Sequence, residues 1–398
     1  MARISIALAL FAAPLAACAS SGDRAGGGVR RVDPISRPAV LAEGWALDVA
    51  HEGDVRINGV ACGEFDTELA GDEIVSVDKL GRIRLLGRRD GGFGPLELPW
   101  PLPMEGISGS REPGGELVQV AAVDLDPEAP GDEIVAVGVL RGGEDDGEPG
   151  LVRVLSRSGS RGAWREQRFV TPGLVHAIAV GDVLPAREGL EVLFAGFFGE
   201  ALVGYVDRES GALLVDAIGA THTGNAKGAC LVGDGFVLAC DDGKTFRYRR
   251  DASGEWALAR TRDFGATLAR IASFQGVDYA VCANDGSFTL HQRRGDRSGT
   301  TALHRVDNRL RGALFVDIDV NAEGVEACTA GYDGEIRVVR LLEQPAAGEA
   351  FPRFSTSKKS VARDTAKIHH LTSGTFDGIG TALVSCGYSG DILVTYPR

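Results

Sequence analysis

Short apolar runs, four or five residues long and bounded by glycine or acidic residues, recur along the chain. Gly71-Asp-Glu-Ile-Val75 returns as Gly131-Asp-Glu-Ile-Val135 and, in relaxed form, as Gly189-Leu-Glu-Val-Leu193. Further copies are Phe236-Val-Leu-Ala-Cys240, Tyr279-Ala-Val-Cys282, Val325-Glu-Ala-Cys328 and Ala382-Leu-Val-Ser-Cys386. Each run is too short for a helix and rich in β-branched or small apolar residues, so each predicts a buried strand. With Val75, Val135, Leu193, Leu238, Val281, Cys328 and Val384 taken as equivalent, successive copies stand 43 to 60 residues apart.

Three further strands accompany these copies. A glycine turn and an alternating strand follow, as in Gly81-Arg-Ile-Arg-Leu, Gly286-Ser-Phe-Thr-Leu and Gly334-Glu-Ile-Arg-Val. The alternation predicts one packed and one partly exposed sheet face. An inner strand precedes each copy, as in His176-Ala-Ile-Ala-Val180, and a looser outer strand follows, as in Glu166-Gln-Arg-Phe-Val170. Four strands per unit and seven units predict an all-β chain, a seven-bladed β-propeller over residues 39–398. An elongated β-solenoid would need shorter repeats. The last hairpin ends at Arg398 without an outer strand, and the segment Gly44-Trp-Ala-Leu-Asp-Val-Ala50 is placed to supply it. An N-terminal strand that closes the ring removes the open sheet edges.

Composition changes this picture in two ways. The 55 glycines suit a chain of many tight turns. The formal charge of −13 argues against a general nucleic-acid binder, whose affinity rests on neutralising phosphates. At the N-terminus, Arg3 precedes an apolar run to Leu15 that is too short to span a bilayer, followed by Leu15-Ala-Ala-Cys18. This predicts a secretory signal over residues 1–17. Leu-Ala-Ala-Cys resembles the lipobox of bacterial lipoproteins, which implies lipid on Cys18. Ala19 after the cysteine then favours an outer-membrane lipoprotein, facing the periplasm or the cell surface. Residues 18–38, rich in Ser and Gly and then Arg and Pro, predict a flexible tether.

The stretches Asp124-Leu-Asp-Pro-Glu-Ala-Pro-Gly-Asp132 and Asp317-Ile-Asp-Val-Asn321 resemble loops of FG-GAP/VCBS-type propeller repeats. That resemblance implies calcium (Ca) held by Asp124, Asp126, Glu128 and Asp132 in blade two, with Glu64, Asp66, Glu68 and Asp72 as the blade-one counterparts. Oxygen ligands at such spacing suit a hard cation. The sequence departs from the family at position six, where the glycine is missing, and blades four and five lack the pattern. Val206-Asp-Arg-Glu-Ser-Gly-Ala-Leu-Leu resembles a quinoprotein-type blade turn but occurs once, and supports no quinone.

Other chemistry is sparse. Cys62, Cys230, Cys240, Cys282, Cys328 and Cys386 include no Cys-x-x-Cys, and four of them fall on one strand of successive blades, as small apolar fillers would. Cys230 and Cys240 flank the Asp234-Gly235 hairpin and could meet. Gly243-Lys-Thr245 lacks the earlier glycine of a phosphate loop. One pattern stands out: His176, Lys227, Arg270, Arg311 and His369 occupy similar places at the start of five inner strands, with Asn58 and Val118 in blades one and two. A basic channel mouth on an acidic protein would focus its field on an anionic ligand. The expected function is a lipid-anchored, non-catalytic binding or scaffold module at the cell envelope, its partner an anionic glycan or an envelope protein. The alternative is a carbohydrate-active enzyme that resembles propeller polysaccharide lyases. There Arg would neutralise a uronate carboxylate, and His176 or His369 would exchange protons.

Overall fold

Seven antiparallel sheets form, one for each repeat of the sequence. The computed structural model describes residues 35–98, 115–127, 129, 131–140, 148–157, 163–184, 187, 189–295, 297–319, 324–344, 351 and 353–398. The predicted signal, Cys18, most of the tether and Glu128 lie outside the described residues. No helix occurs among the described residues, and therefore none that is long and apolar enough to cross a membrane.

The inner strands are Ile57–Gly63, Glu116–Val123, Val175–Gly181, Ala226–Val232, Leu268–Phe274, Leu310–Val316 and Ile368–Phe376. Each packs against the next, and the seventh packs against the first, so the ring is closed. The second strands carry the repeated apolar runs: Glu73–Asp78, Glu133–Val139, Glu191–Gly196, Gly235–Cys240, Asp278–Ala283, Glu326–Gly331 and Gly380–Gly387. These are covered on both faces, because a neighbouring blade lies against each. The expected alternation of packed and partly exposed positions is found at the start of third strands, with Ile83, Leu85, Phe288 and Leu290 buried and Arg84 and Thr289 partly exposed, while outer strands such as Trp256–Asp263 are mostly exposed.

Blade seven ends at its third strand, Ile392–Pro397, and Trp45–His51 pairs antiparallel with it, with Trp45 opposite Pro397. The closing strand is the one the sequence indicates. A further strand was not foreseen. Ala39–Val40 pairs with Ala362 and Arg363, adding a fifth strand to blade six before the chain crosses to blade seven.

The Gly-Asp-Glu motif has a structural cause at the far end of the blades, where each inner strand turns into the second. Glu73 Oε2 accepts the N–H groups of Phe65 and Asp66 at 2.7 and 2.9 Å. Glu133 does the same for Leu125 and Asp126, Glu191 for Val183 and Leu184, and Glu326 for Ile318 and Asp319. The clamped residues Phe65, Leu125, Val183 and Ile318 are apolar plugs buried in the core. The preceding aspartate ties one blade to its neighbour. Asp132 accepts from Glu64 N–H at 3.0 Å and donates its own N–H to the Glu64 carbonyl at 2.7 Å. Asp72 repeats this with Thr375, at 2.7 Å in both directions. Gly131 adopts φ +84°, and a Cβ there would lie 2.6 Å from the Glu64 oxygen, which is why glycine opens the motif.

Burial pushes the carboxyls of Glu73 and Glu133 up to about 7, although the two N–H bonds pull the other way. Their stabilising contribution is full below the ordinary glutamate range and is lost as pH rises through about 7. Burial also depresses His291, His304 and His370, to about 3, 4 and 3, so their contribution is lost as pH falls below about 6.5. The melting temperature should therefore peak near neutrality, and Glu73→Gln with Glu133→Gln should flatten the decline from pH 6.5 to 8. Glu133→Ala should cost about 1–3 kcal/mol, since it strands two N–H groups that the loop cannot expose. An alkaline limb unchanged by the double glutamine variant would contradict the clamp.

Candidate functional site

The opposite end of the ring is built from two layers. One is the residue that leads into each inner strand; the other is the turn that follows each second strand. Backbone bonds of 2.9–3.1 Å tie the layers together: Tyr332 donates to Arg309, Tyr388 to Lys367, Phe197 to Leu174 and Lys79 to Arg56. The turns of blades three, six and seven read Gly196-Phe-Phe-Gly199, Gly331-Tyr-Asp-Gly334 and Gly387-Tyr-Ser-Gly390. The first glycine of each is required by contact, because a Cβ would collide with the carbonyl of Leu174, Arg309 or Lys367. The aromatic residue that follows is thereby placed at the channel mouth.

Each inner strand bulges near its start, directly after its first paired residue, or after its second in blade two. The bulged residues are Asn58, Val118, His176, Lys227, Ala269, Arg311 and His369. A bulge re-aims its side chain away from the ladder. Four of the five basic residues singled out in the sequence share this position. Arg270 does not: the bulge in blade five falls on Ala269, and Arg270 is one residue deeper, level with Gly59, Gly228, Gly312 and His370.

The five are nevertheless brought together. His176 lies near enough to Arg270, Lys227 and His369 to be repelled by their charge. Lys227 Nζ is 4.0 Å from the Phe197 ring centre, and His176 lies parallel to the same ring at 6.3 Å. The Arg311 guanidinium is 5.1 Å from the Tyr332 ring, and His369 stands 6.2 Å from Tyr388. Sequence reasoning missed the rest of the rim. Lys367 lies 4.9 Å from Tyr332 and 5.7 Å from Tyr388, while Arg56 lies 5.2 Å from Tyr388. Arg56 also pairs with Glu116 at 2.5 Å. The threefold Gly-aromatic-x-Gly was the available signal. His222, in the lead-in to blade four, packs beside Phe246 and Cys240 instead.

Burial grades from the rim inward. Phe197 and Tyr388 are each 40% exposed, His176, Lys227, Arg311 and His369 are half-buried, and Arg270 is 5% exposed. Asn58 Nδ2 donates to the Leu117 carbonyl at 2.7 Å, and His369 Nδ1 to the Asn58 carbonyl at 3.0 Å. Arg270 Nη1 donates to the carbonyls of Lys227 and Ala269 at 3.1 and 2.8 Å. Burial and then repulsion by Arg270 push His369 and His370 down to about 3. Burial and then Arg311 lower Arg270 to about 10, where it remains a cation at neutral pH. Burial raises the Tyr388 phenol, but its bond to Tyr332 and the charges of Arg56 and Lys367 leave it below its ordinary value.

The acidic loops lie at the other end. Asp132 is turned to Glu64 of the neighbouring blade, and Glu133 holds the loop backbone. Among the described residues no three His, Cys, Asp or Glu side chains converge to hold a metal ion. The described part of this loop does not by itself frame calcium, and no chemistry is routed through it. Cys230 is paired opposite Val237 and Cys240 opposite Ala226, at opposite ends of the hairpin ladder, so the two thiols do not meet.

No family model matches the chain, and no curated protein matches it. Solved structures do. One is described as "Crystal structure of WD40 beta propeller domain of Doa1", with a TM-score of 0.56, 12% identity and coverage of 89% of this chain and 97% of that one. Another is described as "Streptogramin B lyase structure", with a TM-score of 0.56, 11% identity and coverage of 89% and 98%. At such identity they establish the seven-bladed propeller and nothing finer. The geometry predicts that His369 and His370 remain neutral from pH 5 to 8. Ring-nitrogen NMR should show no titration of either in that range; an inflection near pH 6.5 would contradict the packing around Arg270.

Proposed function

We propose that the protein is a lipid-tethered binding module of the bacterial envelope whose channel mouth takes an anionic ligand, an acidic glycan being the class that suits it best. One observation carries the reading: Arg56, Lys227, Arg311 and Lys367 stand over or beside Phe197, Tyr332 and Tyr388 at one mouth of the ring. Cations attract acidic groups, and flat rings offer faces to the apolar side of a sugar. The contrast with a formal charge of −13 concentrates the attractive field there. The tether and the Cys18 anchor rest on the N-terminal sequence alone. They would hold the module at the outer membrane.

Uronate oligomers should bind at low salt and weaken steeply as salt rises, because exposed charges are screened over about 8 Å at physiological ionic strength. Arg311→Ala and Lys367→Ala should each weaken binding about fivefold, with stability changed by less than about 0.5 kcal/mol, since neither empties the core. Absence of binding at low salt removes the reading. In membrane fractionation, Cys18→Ser should release the folded protein; unchanged partitioning would refute the anchor.

A lyase reading has one specific feature in its favour. His369 donates Nδ1–H to the Asn58 carbonyl, which leaves Nε2 with its lone pair, in the state a general base needs. Turnover of uronate oligomers that His369→Ala abolishes would establish it, and binding without turnover would leave the module.

A further inference from the structure

Below the rim, Arg270 is held in an unusual way. Its Nη1 is fixed by two backbone carbonyls, one on its own strand and one on the strand of blade four. Its Nε and Nη2, both buried, have no hydrogen-bond partner among the described residues. These two N–H groups lie in the guanidinium plane along one edge, the edge that grips a two-oxygen anion with parallel bonds. Arg247, Arg250 and Arg340 each leave one buried nitrogen without a partner among the described residues, whereas Arg270 leaves two, and the two share one edge.

Arg270 interacts with Arg311 and Tyr332 of blade six, and it repels His176 of blade three and His369 and His370 of blade seven. A guanidinium that reaches groups on blades three, six and seven from blade five projects into the central channel. It is 5% exposed, beneath a rim whose Phe197 and Tyr388 are each 40% exposed. A long polymer lying across the mouth meets the rim cations. A chain end, rather than a chain lying across the mouth, is what would reach a side chain only 5% exposed.

We propose that the channel floor is a subsite for the terminal carboxylate of an acidic oligosaccharide, gripped side-on by Nε and Nη2 of Arg270. The assignment rests on the anionic-ligand reading of the mouth and makes it specific: the module recognises chain ends. A carboxylate matches the planar fork with two parallel bonds, and a terminal sulfate can offer two oxygens to the same edge. Arg270 is a binding residue in this account, with the rim supplying attraction and the floor supplying choice.

Titration calorimetry on the full chain at low salt tests it with three probes. They are a trisaccharide with one uronate at its non-reducing end, the methyl ester of that sugar, and the corresponding terminal sulfate. The acid should bind at least about tenfold more tightly than the ester, which has no charged two-oxygen group to present, and the sulfate should also outbind the ester. Arg270→Lys keeps the charge and loses the fork, so it should cost the acid about tenfold while leaving ester binding unchanged. A thermal melt of that variant confirms that it is folded, and the esterification comparison needs no variant at all. Equal binding of acid and ester, or wild-type affinity in Arg270→Lys, overturns the subsite. If uniform uronate oligomers bind and the single-acid trisaccharide does not, the floor assignment falls and the rim reading stands. If neither binds, both fall.

Discussion

The inner strand of every blade is paired on one side only, and its other edge faces the channel. Backbone N–H and C=O groups demand partners wherever they are held away from water, so the lining of the channel has to be polar. At the mouth, Asn58, His369 and Arg270 each spend a donor on an inner-strand carbonyl. A ring of polar and cationic side chains is therefore a consequence of the architecture before it is a site. What goes beyond strand-capping is the surplus: the side-on edge of Arg270 has no partner among the described residues, and Arg56 and Lys227 lie over the exposed rings of Tyr388 and Phe197.

The outer edges are settled by the N-terminal segment. Ala39–Val40 covers the outer edge of blade six and Trp45–His51 completes blade seven, so one stretch of chain fastens the two blades on either side of its crossing. At the far end the same economy appears in the glutamate clamps, where one carboxylate oxygen takes two loop N–H groups and lets an apolar plug enter the core. The two ends have thus diverged. One holds the blades together through acids, and the other gathers bases.

The strands were legible because turn glycines and apolar runs repeat, and the closing strand because the last blade visibly lacks one. Both depend on local pattern. What depends on register was less legible. Nothing in Leu268-Ala-Arg270 tells that the bulge falls on Ala269, so Arg270 was grouped with residues one step nearer the rim. Cys230 and Cys240 flank a hairpin, but only the ladder shows that they sit at its opposite ends. The acidic loops drew attention to their carboxylates, whereas the buried residues between them, Phe65, Leu125, Val183 and Ile318, explain the spacing. Tyr332 and Tyr388 read as turn residues, because their convergence comes from blades 56 residues apart in the chain.

On the proposed reading, the aromatic, cationic rim and the buried fork of Arg270 would take a ligand that is acidic at its end and flat along its side. His369 and His370, held neutral beside Arg270, add no positive charge to that of Arg270 and its neighbour Arg311. The most direct measurement is a crystal structure of the protein with a uronate disaccharide at low ionic strength. The account predicts a carboxylate within about 3 Å of both Nε and Nη2 of Arg270 and a sugar ring against Tyr388 or Tyr332. An Arg270 guanidinium turned out of the channel, or a disaccharide bound only elsewhere on the ring, would contradict it.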